Sequence, residues 1–92
     1  MAGIPSALHL DIVTPEETLV RDDVDEVVVP GEEGYLGVLP GHTPLVATLK
    51  QGALWYRKGA ERKEIEIAGG FVEVLPDRVT ILAEAGASAP KA

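Results

Sequence analysis

The sequence predicts an all-β domain, an antiparallel sandwich or barrel of eight or nine short strands. Apolar and polar residues alternate in short runs from Leu8 onward, which is typical of strands that bury one face. Glycine, proline or aspartate bounds each run, at intervals of roughly eight to twelve residues. No stretch keeps a helical period, and the helix-compatible composition near the end of the chain is interrupted by Gly86, Ser88 and Pro90.

Three strands are predicted in the first third of the chain. The first covers residues 8–13, and a short second strand covers residues 17–21. The acidic residues that follow interrupt the apolar pattern and are typical of a turn: Asp22, Asp23, Asp25 and Glu26. A third strand over residues 27–29 should end at Pro30-Gly31, because proline has no N–H to donate to a neighbouring strand.

Residues 31–45 have the most unusual composition in the chain. Four glycines, two prolines and one of the two histidines fall within these fifteen residues. Glycine permits backbone conformations that other residues avoid, and proline fixes φ, so the segment should form turns around one short strand over residues 35–39. Such a segment is a binding loop or the corner of a β-fold, and here it can be both.

The remaining runs predict two hairpins. A strand over residues 45–49 is followed by residues 54–57 and 63–67, which should pair through a basic tip. That tip is expected to be a solvated hairpin end: Arg57, Lys58, Arg62 and Lys63. The last two strands, over residues 71–75 and 79–82, should flank a turn at Pro76. Trp55 and Tyr56 are adjacent on a strand, so one is expected in the core and the other outside.

Length and charge restrict the class of protein. With 92 residues, the chain has room for one domain. Fifteen acidic and eight basic side chains give a formal charge of −7, which disfavours nucleic acid and anionic membrane surfaces and favours a protein partner. No apolar run approaches the roughly 18 to 20 residues of a transmembrane helix. The absence of cysteine agrees with a reducing compartment.

Signals for catalysis are weak. The glycines do not have the spacing of a phosphate-binding loop, and the serines have no evident base partner. His9 and His42, with Glu32 and Glu33, lack the repeated spacing of metal ligands. We therefore assign no catalytic, cofactor-binding or metal-binding residue, and we expect no cofactor.

Two residues of the glycine-rich segment have two interpretations each. His42 either satisfies carbonyl groups of its own turn or is an exposed interface group, and its position between two prolines is closely determined. Tyr35 is either a core residue of its strand or an anchor exposed at the tip of the turn formed by residues 32–35.

Three segments together resemble the epsilon subunit of F-type ATP synthases, the delta subunit in mitochondria. They are LHLDIVTP at residues 8–15, GEEGYLGVLPGHTPL at residues 31–45, and IAGGFVEV with VTILA at residues 67–74 and 79–83. The resemblance implies a flattened antiparallel β-sandwich of about ten strands. We expect this domain to cover residues 1–84 and a flexible tail to cover residues 85–92.

The resemblance also implies a function and partners. The domain would be a non-catalytic rotor subunit in the central stalk, joining the gamma subunit to the c-ring and coupling ion flow to ATP synthesis. It would have no transmembrane segment of its own and would lie at the cytoplasmic face of the bacterial inner membrane. By position, the turn Glu32, Glu33, Gly34 and Tyr35 resembles the loop that meets the c-ring. His42, Thr14 and Leu19 resemble parts of the face against gamma.

The chain departs from the family pattern at its end. Most relatives continue into two C-terminal helices that can inhibit hydrolysis and in some cases bind ATP, whereas this chain ends at Ala92. We therefore assign neither activity to it and expect a naturally short protein. Two alternatives stay open: a β-sandwich adaptor of another complex, and a small ligand-binding or enzymatic sandwich around His42, Glu33 and Tyr35.

Overall fold

A computed structural model describes residues 5–84 and contains nine strands. Seven of the eight connections between consecutive strands are one to four residues long, and the eighth, residues 39–44 before β5, is longer. In chain order they are β1 (Leu8–Val13), β2 (Thr18–Val24), β3 (Glu26–Gly31), β4 (Gly34–Val38), β5 (Leu45–Leu49), β6 (Gly52–Lys58), β7 (Glu61–Ile67), β8 (Gly70–Leu75) and β9 (Arg78–Ala83). The predicted tail at residues 85–92 lies outside the described residues.

The strands form one continuous sheet in the order β2-β1-β9-β8-β5-β3-β6-β7, with β4 paired to β3. Within residues 5–84 every pairing is antiparallel except that of β1 with β9, which runs parallel from His9 beside Arg78 to Val13 beside Leu82. The prediction of an antiparallel sheet therefore misses this one pair. The first and last strands meet here without a hairpin between them, so no turn imposes an antiparallel direction.

The sheet curls into two layers. We call β2-β1-β9-β8-β5 the first layer and β4-β3-β6-β7 the second layer. The layers are joined where β5 meets the end of β3, through the Lys50 N–H bond to the Pro30 carbonyl at 2.9 Å and the register of Gly31 with Leu49. At the opposite side β2 contacts β6 and closes the sandwich.

The core lies between the layers and consists of the alternate residues that the sequence places inward. Leu8, Leu10 and Ile12 of β1 are fully buried, as predicted from their shared face. Tyr56 is buried and its neighbour Trp55 lies on the outside, which confirms that the two rings face opposite sides. Most buried side chains are Val, Leu or Ile, so the core is stabilised by the packing of branched side chains.

Two predicted boundaries are wrong. Asp22 and Asp23 belong to β2, and only Asp25 separates β2 from β3. Pairing with β1 overrides their preference for turns, because Asp22 lies opposite Leu10 and Asp23 opposite His9 in the ladder. Pro30 and Gly31 continue β3, since the Pro30 carbonyl can still accept a hydrogen bond although the residue has no N–H to donate.

The other predicted strands are confirmed within one to three residues. The strand over residues 45–49 is β5 itself, and β6 and β7 pair around Gly59 and Ala60 as expected. Gly70, at the start of β8, has φ +141°, and a Cβ there would lie 2.1 Å from the Leu82 carbonyl oxygen, so only glycine fits. Within residues 5–84 no helix is long and apolar enough to cross a membrane.

Candidate protein-interaction surfaces

The turn between β3 and β4 exposes an acidic pair and an aromatic ring. Glu32 and Glu33 form the two-residue turn, and both are exposed. No basic side chain among residues 5–84 lies within ion-pair distance of either carboxylate. Tyr35 is 61 % exposed and pairs across the hairpin with Pro30. The structure therefore places Tyr35 at the exposed tip, which is one of its two predicted positions.

Two glycines determine the shape of this turn. A Cβ at Gly31 would lie 2.7 Å from the Gly34 carbonyl oxygen, so the two strands approach too closely for a side chain. Gly34 has φ +130°, a conformation that other residues rarely adopt. The positions of Glu32, Glu33 and Tyr35 therefore follow from local backbone geometry.

An open groove of about 650 Å³ runs between this turn and β5. Leu36, Leu45 and Ala47 are half-buried, pack against the core and form the apolar part of the groove. The full lining is Gly31, Glu32, Glu33, Gly34, Tyr35, Leu36, Leu45, Val46, Ala47 and Thr48. The groove thus combines an apolar wall with an acidic rim.

His42 is held within its own loop. Its backbone N–H donates to the Leu39 carbonyl at 3.1 Å, and its ring Nδ1 lies 2.7 Å from the Thr43 carbonyl oxygen. A carbonyl only accepts hydrogen bonds, so Nδ1 carries the proton. This matches the interpretation in which the ring satisfies a carbonyl of its turn. The ring is half-buried, so a partner can still contact its outer edge.

Thr14 and Leu19 lie at the corner between β1 and β2. Thr14 is buried, and its hydroxyl exchanges hydrogen bonds of 3.1 Å with the N–H and the carbonyl of Glu17. Leu19 is half-buried and packs against the core. Thr14 therefore shapes the corner, and Leu19 is the more accessible of the two.

The outer face of the first layer carries an apolar patch that sequence reasoning missed. We define the patch as Val46, Phe71 and Leu82, which are 71, 52 and 53 % exposed. Phe71 and Leu82 are direct cross-strand neighbours, and Val46 lies on the adjacent strand β5, diagonal to Phe71 and directly opposite the exposed Glu73. A signal was present in the sequence: each of the three occupies an outward position of its strand, where the alternation calls for a polar residue.

The other half of the same outer face is charged and internally neutralised. The Arg21 Nε donates to Asp11 at 3.0 Å, Arg78 lies 3.7 Å from the same carboxylate, and the His9 ring lies 3.5 Å from it. His9 also lies 3.0 Å from Asp23. The outer face of the first layer is therefore apolar toward one end and ionic toward the other.

The basic tip between β6 and β7 is ion-paired as well as exposed. Lys58 Nζ donates to Asp22 at 2.8 Å and 3.0 Å, and the Gly59 N–H donates to Asp25 at 2.7 Å. Arg57 lies 3.4 Å from Glu26. The expected hairpin is present, but it folds against the acidic cluster. The hydrogen bond from Lys58 lowers the pKa of Asp22, and the same bond raises the pKa of Lys58.

The enzymatic alternative required at least two of His42, Glu33 and Tyr35 in one concavity. Two of the three meet this condition: Glu33 and Tyr35, which belong to one hairpin, both line the groove, whereas His42 does not. The structure also presents the exposed apolar residues expected of an adaptor. Within residues 5–84, no three His, Asp or Glu side chains form a group that could hold a metal ion.

The exposed turn at residues 32–35 and the exposed apolar patch on the first layer define a class of protein. It is a small β-sandwich suited to contacts with other proteins. Comparison with known families agrees with this class and makes it specific. The chain belongs to the family described as ATP synthase, Delta/Epsilon chain, beta-sandwich domain, whose profile matches residues 7–89.

Relatives and solved structures agree with the family. The ATP synthase epsilon chain of Solibacter usitatus is 51 % identical over 81 residues, which cover 88 % of this chain and 60 % of the relative. That of Leptospira borgpetersenii is 49 % identical over 80 residues, covering 87 % and 63 %. The chain thus spans about six-tenths of the length of these relatives.

In a structure of the Euglena gracilis mitochondrial ATP synthase, described as OSCP/F1/c-ring, one chain superposes with a TM-score of 0.89 at 28 % identity. The match covers 97 % of this chain and 56 % of that one. A chain from the Tetrahymena thermophila mitochondrial ATP synthase, described as central stalk/cring, has a TM-score of 0.76 at 18 % identity and covers 89 % and 66 %. The second likeness supports the fold alone.

Proposed function

We propose that the chain is a non-catalytic subunit of the central stalk of a rotary F-type ATP synthase, joining gamma to the c-ring. Its named relatives are ATP synthase epsilon chains, and the Euglena neighbour belongs to an assembly described as containing F1 and the c-ring. The observation that carries the proposal is the apolar patch Val46, Phe71 and Leu82, which a protein without partners has no reason to expose.

The outer face of the first layer is the surface we assign to gamma. Val13 neighbours Leu82, so Thr14 and Leu19 border the apolar end of this face. The Gly41 N–H bond to the Pro76 carbonyl at 2.8 Å holds the His42 loop at the other end. The three gamma contacts inferred from the resemblance therefore border one face at its two ends, and the patch adds the apolar contact between them.

The turn formed by residues 32–35 is the surface we assign to the c-ring. It lies alongside β5, since Gly31 is opposite Leu49 and the Glu32 N–H donates to the Thr48 carbonyl, and its carboxylates and the Tyr35 ring are exposed. Its close backbone geometry makes it a rigid contact. A rotor adaptor needs such rigidity, because torque passes from the ring to gamma only if the connecting domain does not deform.

In this role the chain itself transmits torque and catalyses nothing. Ion flow turns the c-ring, and the sandwich prevents slippage between the ring and gamma. In a bacterium the subunit would act at the cytoplasmic face of the inner membrane, as a peripheral component held there by its partners.

Co-purification with gamma tests the apolar face. We expect Phe71→Ser with Leu82→Ser to weaken binding to gamma at least about tenfold. Each substitution removes apolar area from the contact, and a loss of about 1.4 kcal/mol already corresponds to a factor of ten in affinity. Val28→Ser, on the outer face of the second layer, is the matched control and should change the affinity less than about twofold. Equal binding by the double variant and the wild type would contradict the assignment of this face.

Crosslinking in the assembled enzyme tests the turn. A cysteine at Tyr35 should crosslink to the polar loop of a c subunit that also carries a cysteine. A cysteine at Glu66, exposed on the second layer, is the control and should not. A crosslink from position 35 to gamma, with none to the c-ring, would reject the proposed c-ring contact.

A further inference from the structure

The groove between the β3–β4 turn and β5 has an open strand edge that the proposed function does not use. β5 pairs with β8 along its whole length, from Leu45 beside Val74 to Leu49 beside Gly70. On its other side it meets only the end of β3, where the Glu32 N–H donates to the Thr48 carbonyl at 3.1 Å. Within the described residues, no strand pairs with residues 45–48 on this side.

The direction of the free backbone groups follows from strand geometry. Successive residues of a strand point their N–H and C=O groups to opposite edges. The Thr48 carbonyl points toward the β3–β4 turn, because it accepts from Glu32 there. Val46, two residues earlier, therefore presents its N–H and C=O to the same side, along the groove. The ladder that begins at Thr48 stops one pair before Val46.

The edges of this protein differ in how they are protected against pairing. The outer edge strand β7 begins with four charged residues, Glu61, Arg62, Lys63 and Glu64, which discourage the addition of another strand. The other terminal strand, β2, carries Arg21, Asp22 and Asp23. β5 has no charged residue, and neither has β4, whose first half forms the opposite wall of the groove. The two unprotected edges thus border one concavity.

The groove also has a definite charge preference. Glu32 and Glu33 form its rim, and among residues 5–84 no cation lies within ion-pair distance of them. The β5 side of the groove presents the apolar side chains of Leu45 and Ala47. An extended segment with apolar side chains and a lysine or arginine would satisfy the backbone edge, the apolar wall and the carboxylates together.

We propose that this groove is a strand-addition site, in which an extended basic segment of a partner protein pairs with β5 at Val46 and places a cationic side chain against Glu32 and Glu33. The proposal does not depend on which subunit supplies the segment. It shares Val46 with the surface assigned to gamma and the two glutamates with the turn assigned to the c-ring, but it uses the backbone of Val46 rather than its side chain, and its test requires neither partner.

Two synthetic peptides provide the test on the full chain. Both are capped, alternate valine and threonine, and carry two lysines in one case and two glutamates in the other. We expect the lysine peptide to slow amide hydrogen exchange of Val46 at least about tenfold when bound, because a new backbone hydrogen bond protects that N–H. We expect the glutamate peptide to bind at least about tenfold more weakly, because its charges oppose the rim.

Variants separate the backbone contribution from the charge contribution. Val46→Pro removes the edge N–H while keeping the fold, since that N–H faces away from β8, and it should abolish binding of the lysine peptide. Val46→Thr keeps the N–H and is the matched control, with binding within about twofold of the wild type. Glu32→Gln with Glu33→Gln should remove the difference between the two peptides.

The results that overturn the proposal are distinct. Unchanged exchange at Val46 with saturating lysine peptide, or equal binding by Val46→Pro and Val46→Thr, would show that no strand adds to β5. Equal affinity of the wild type for both peptides would show that the groove has no basic partner. Loss of gamma binding in the Phe71 and Leu82 variants would leave each of these outcomes unaffected.

Discussion

The two hairpins of the second layer have turns of equal length but differ in their charged side chains. Those at one turn pair within the chain, and those at the other are exposed without such a partner in the described part of the chain. The β6–β7 turn, Gly59-Ala60, is anchored to the rest of the chain by Lys58 on Asp22 and by the Gly59 N–H on Asp25. The β3–β4 turn, Glu32-Glu33, has an exposed carboxylate pair with no such anchor within residues 5–84. One turn thus has partners inside the chain, and the other presents its charges outward.

The difference indicates which charges are structural and which are available to a partner. The Lys58–Asp22 ion pair joins β6 to β2 on the closed side of the sandwich. Charges without internal partners retain their full hydration until a partner arrives, so they influence association more than folding. The β3–β4 turn is also shaped by its glycines, whereas the β6–β7 turn is held by side chains. Variants of the two turns should therefore fail in different ways.

The largest expected effect is steric and concerns the β3–β4 turn. Gly31→Ala should lower the free energy of unfolding by about 2–3 kcal/mol, because the new Cβ would lie 2.7 Å from the Gly34 carbonyl oxygen and must displace backbone. Gly59→Asn is the control in the other turn. Nothing lies within 4 Å of a Cβ there, and asparagine tolerates φ +61°, so we expect a loss below about 1 kcal/mol. Urea denaturation measures both, and equal losses would contradict the comparison.

The next effect concerns the anchor of the β6–β7 turn. Asp25→Ala should lower the free energy of unfolding by about 1 kcal/mol, because the Gly59 N–H loses its acceptor at 2.7 Å. Asp25→Asn keeps an acceptor oxygen and should recover most of the loss. If both variants were as stable as the wild type in urea, the side-chain anchor would have no structural role.

A smaller effect depends on pH and concerns Asp22 and Lys58. The hydrogen bond from Lys58 holds the pKa of Asp22 below its ordinary 3.8, so its contribution to stability is present above pH 3.8 and is lost as the pH falls through the lower, folded-state value. The bond to Asp22 raises the pKa of Lys58 above 10.5, so its contribution is present below pH 10.5 and is lost as the pH rises through the higher, folded-state value.

Asp22→Asn should therefore melt at a lower temperature than the wild type at neutral pH, and the gap should close as the pH falls below 3.8. Added salt at about 1 M should narrow the gap at neutral pH. Asp77→Asn, at an exposed residue of the β8–β9 turn, is the control. Because Asp77 does not pair with Lys58, we expect this variant to lack the difference in melting temperature that Asp22→Asn shows at neutral pH. A melting difference that persisted unchanged to strong acid would exclude the ion pair as its cause.

The smallest effect on stability is expected for the acidic pair itself. Glu32→Gln with Glu33→Gln should change the free energy of unfolding by less than about 0.5 kcal/mol, because exposed side chains without internal partners contribute little to folding. The same double variant should lose affinity for the c-ring in reconstituted complexes. Substantial destabilisation of the isolated chain would show that these carboxylates have a structural role after all.

Local pattern accounts for most of the strands. β1 and β5 have the predicted bounds, since alternation of apolar residues depends only on neighbours along the chain. The resemblance of residues 31–45 to a family also came from the sequence and is confirmed by the match over residues 7–89. The apolar patch was readable in principle, because Phe71 occupies an outward position between buried neighbours.

The errors arise where distant segments meet. Asp22 and Asp23 have the local preferences of a turn, yet pairing with β1 makes them part of a strand. Pro30 has the preference of a strand end, yet it lies within β3. Its carbonyl accepts a hydrogen bond from the Lys50 N–H where the two layers join, and no N–H of Pro30 is needed there. The contact roles of Glu32, Glu33, Gly34, Tyr35, His42, Thr14 and Leu19 stay predictions.

The sequence by itself determined the all-β class, the inward face of each strand and the family, because each depends on residue types in a local order. Only the tertiary structure decided that β1 and β9 run parallel, that Lys58 reaches Asp22 across 36 residues of sequence, and that the edge of β5 stays open beside the acidic turn. The physical reason is that alternation specifies which way side chains point along a strand. Which strands become neighbours, and which charges and edges find partners, depends on how the whole sheet curls.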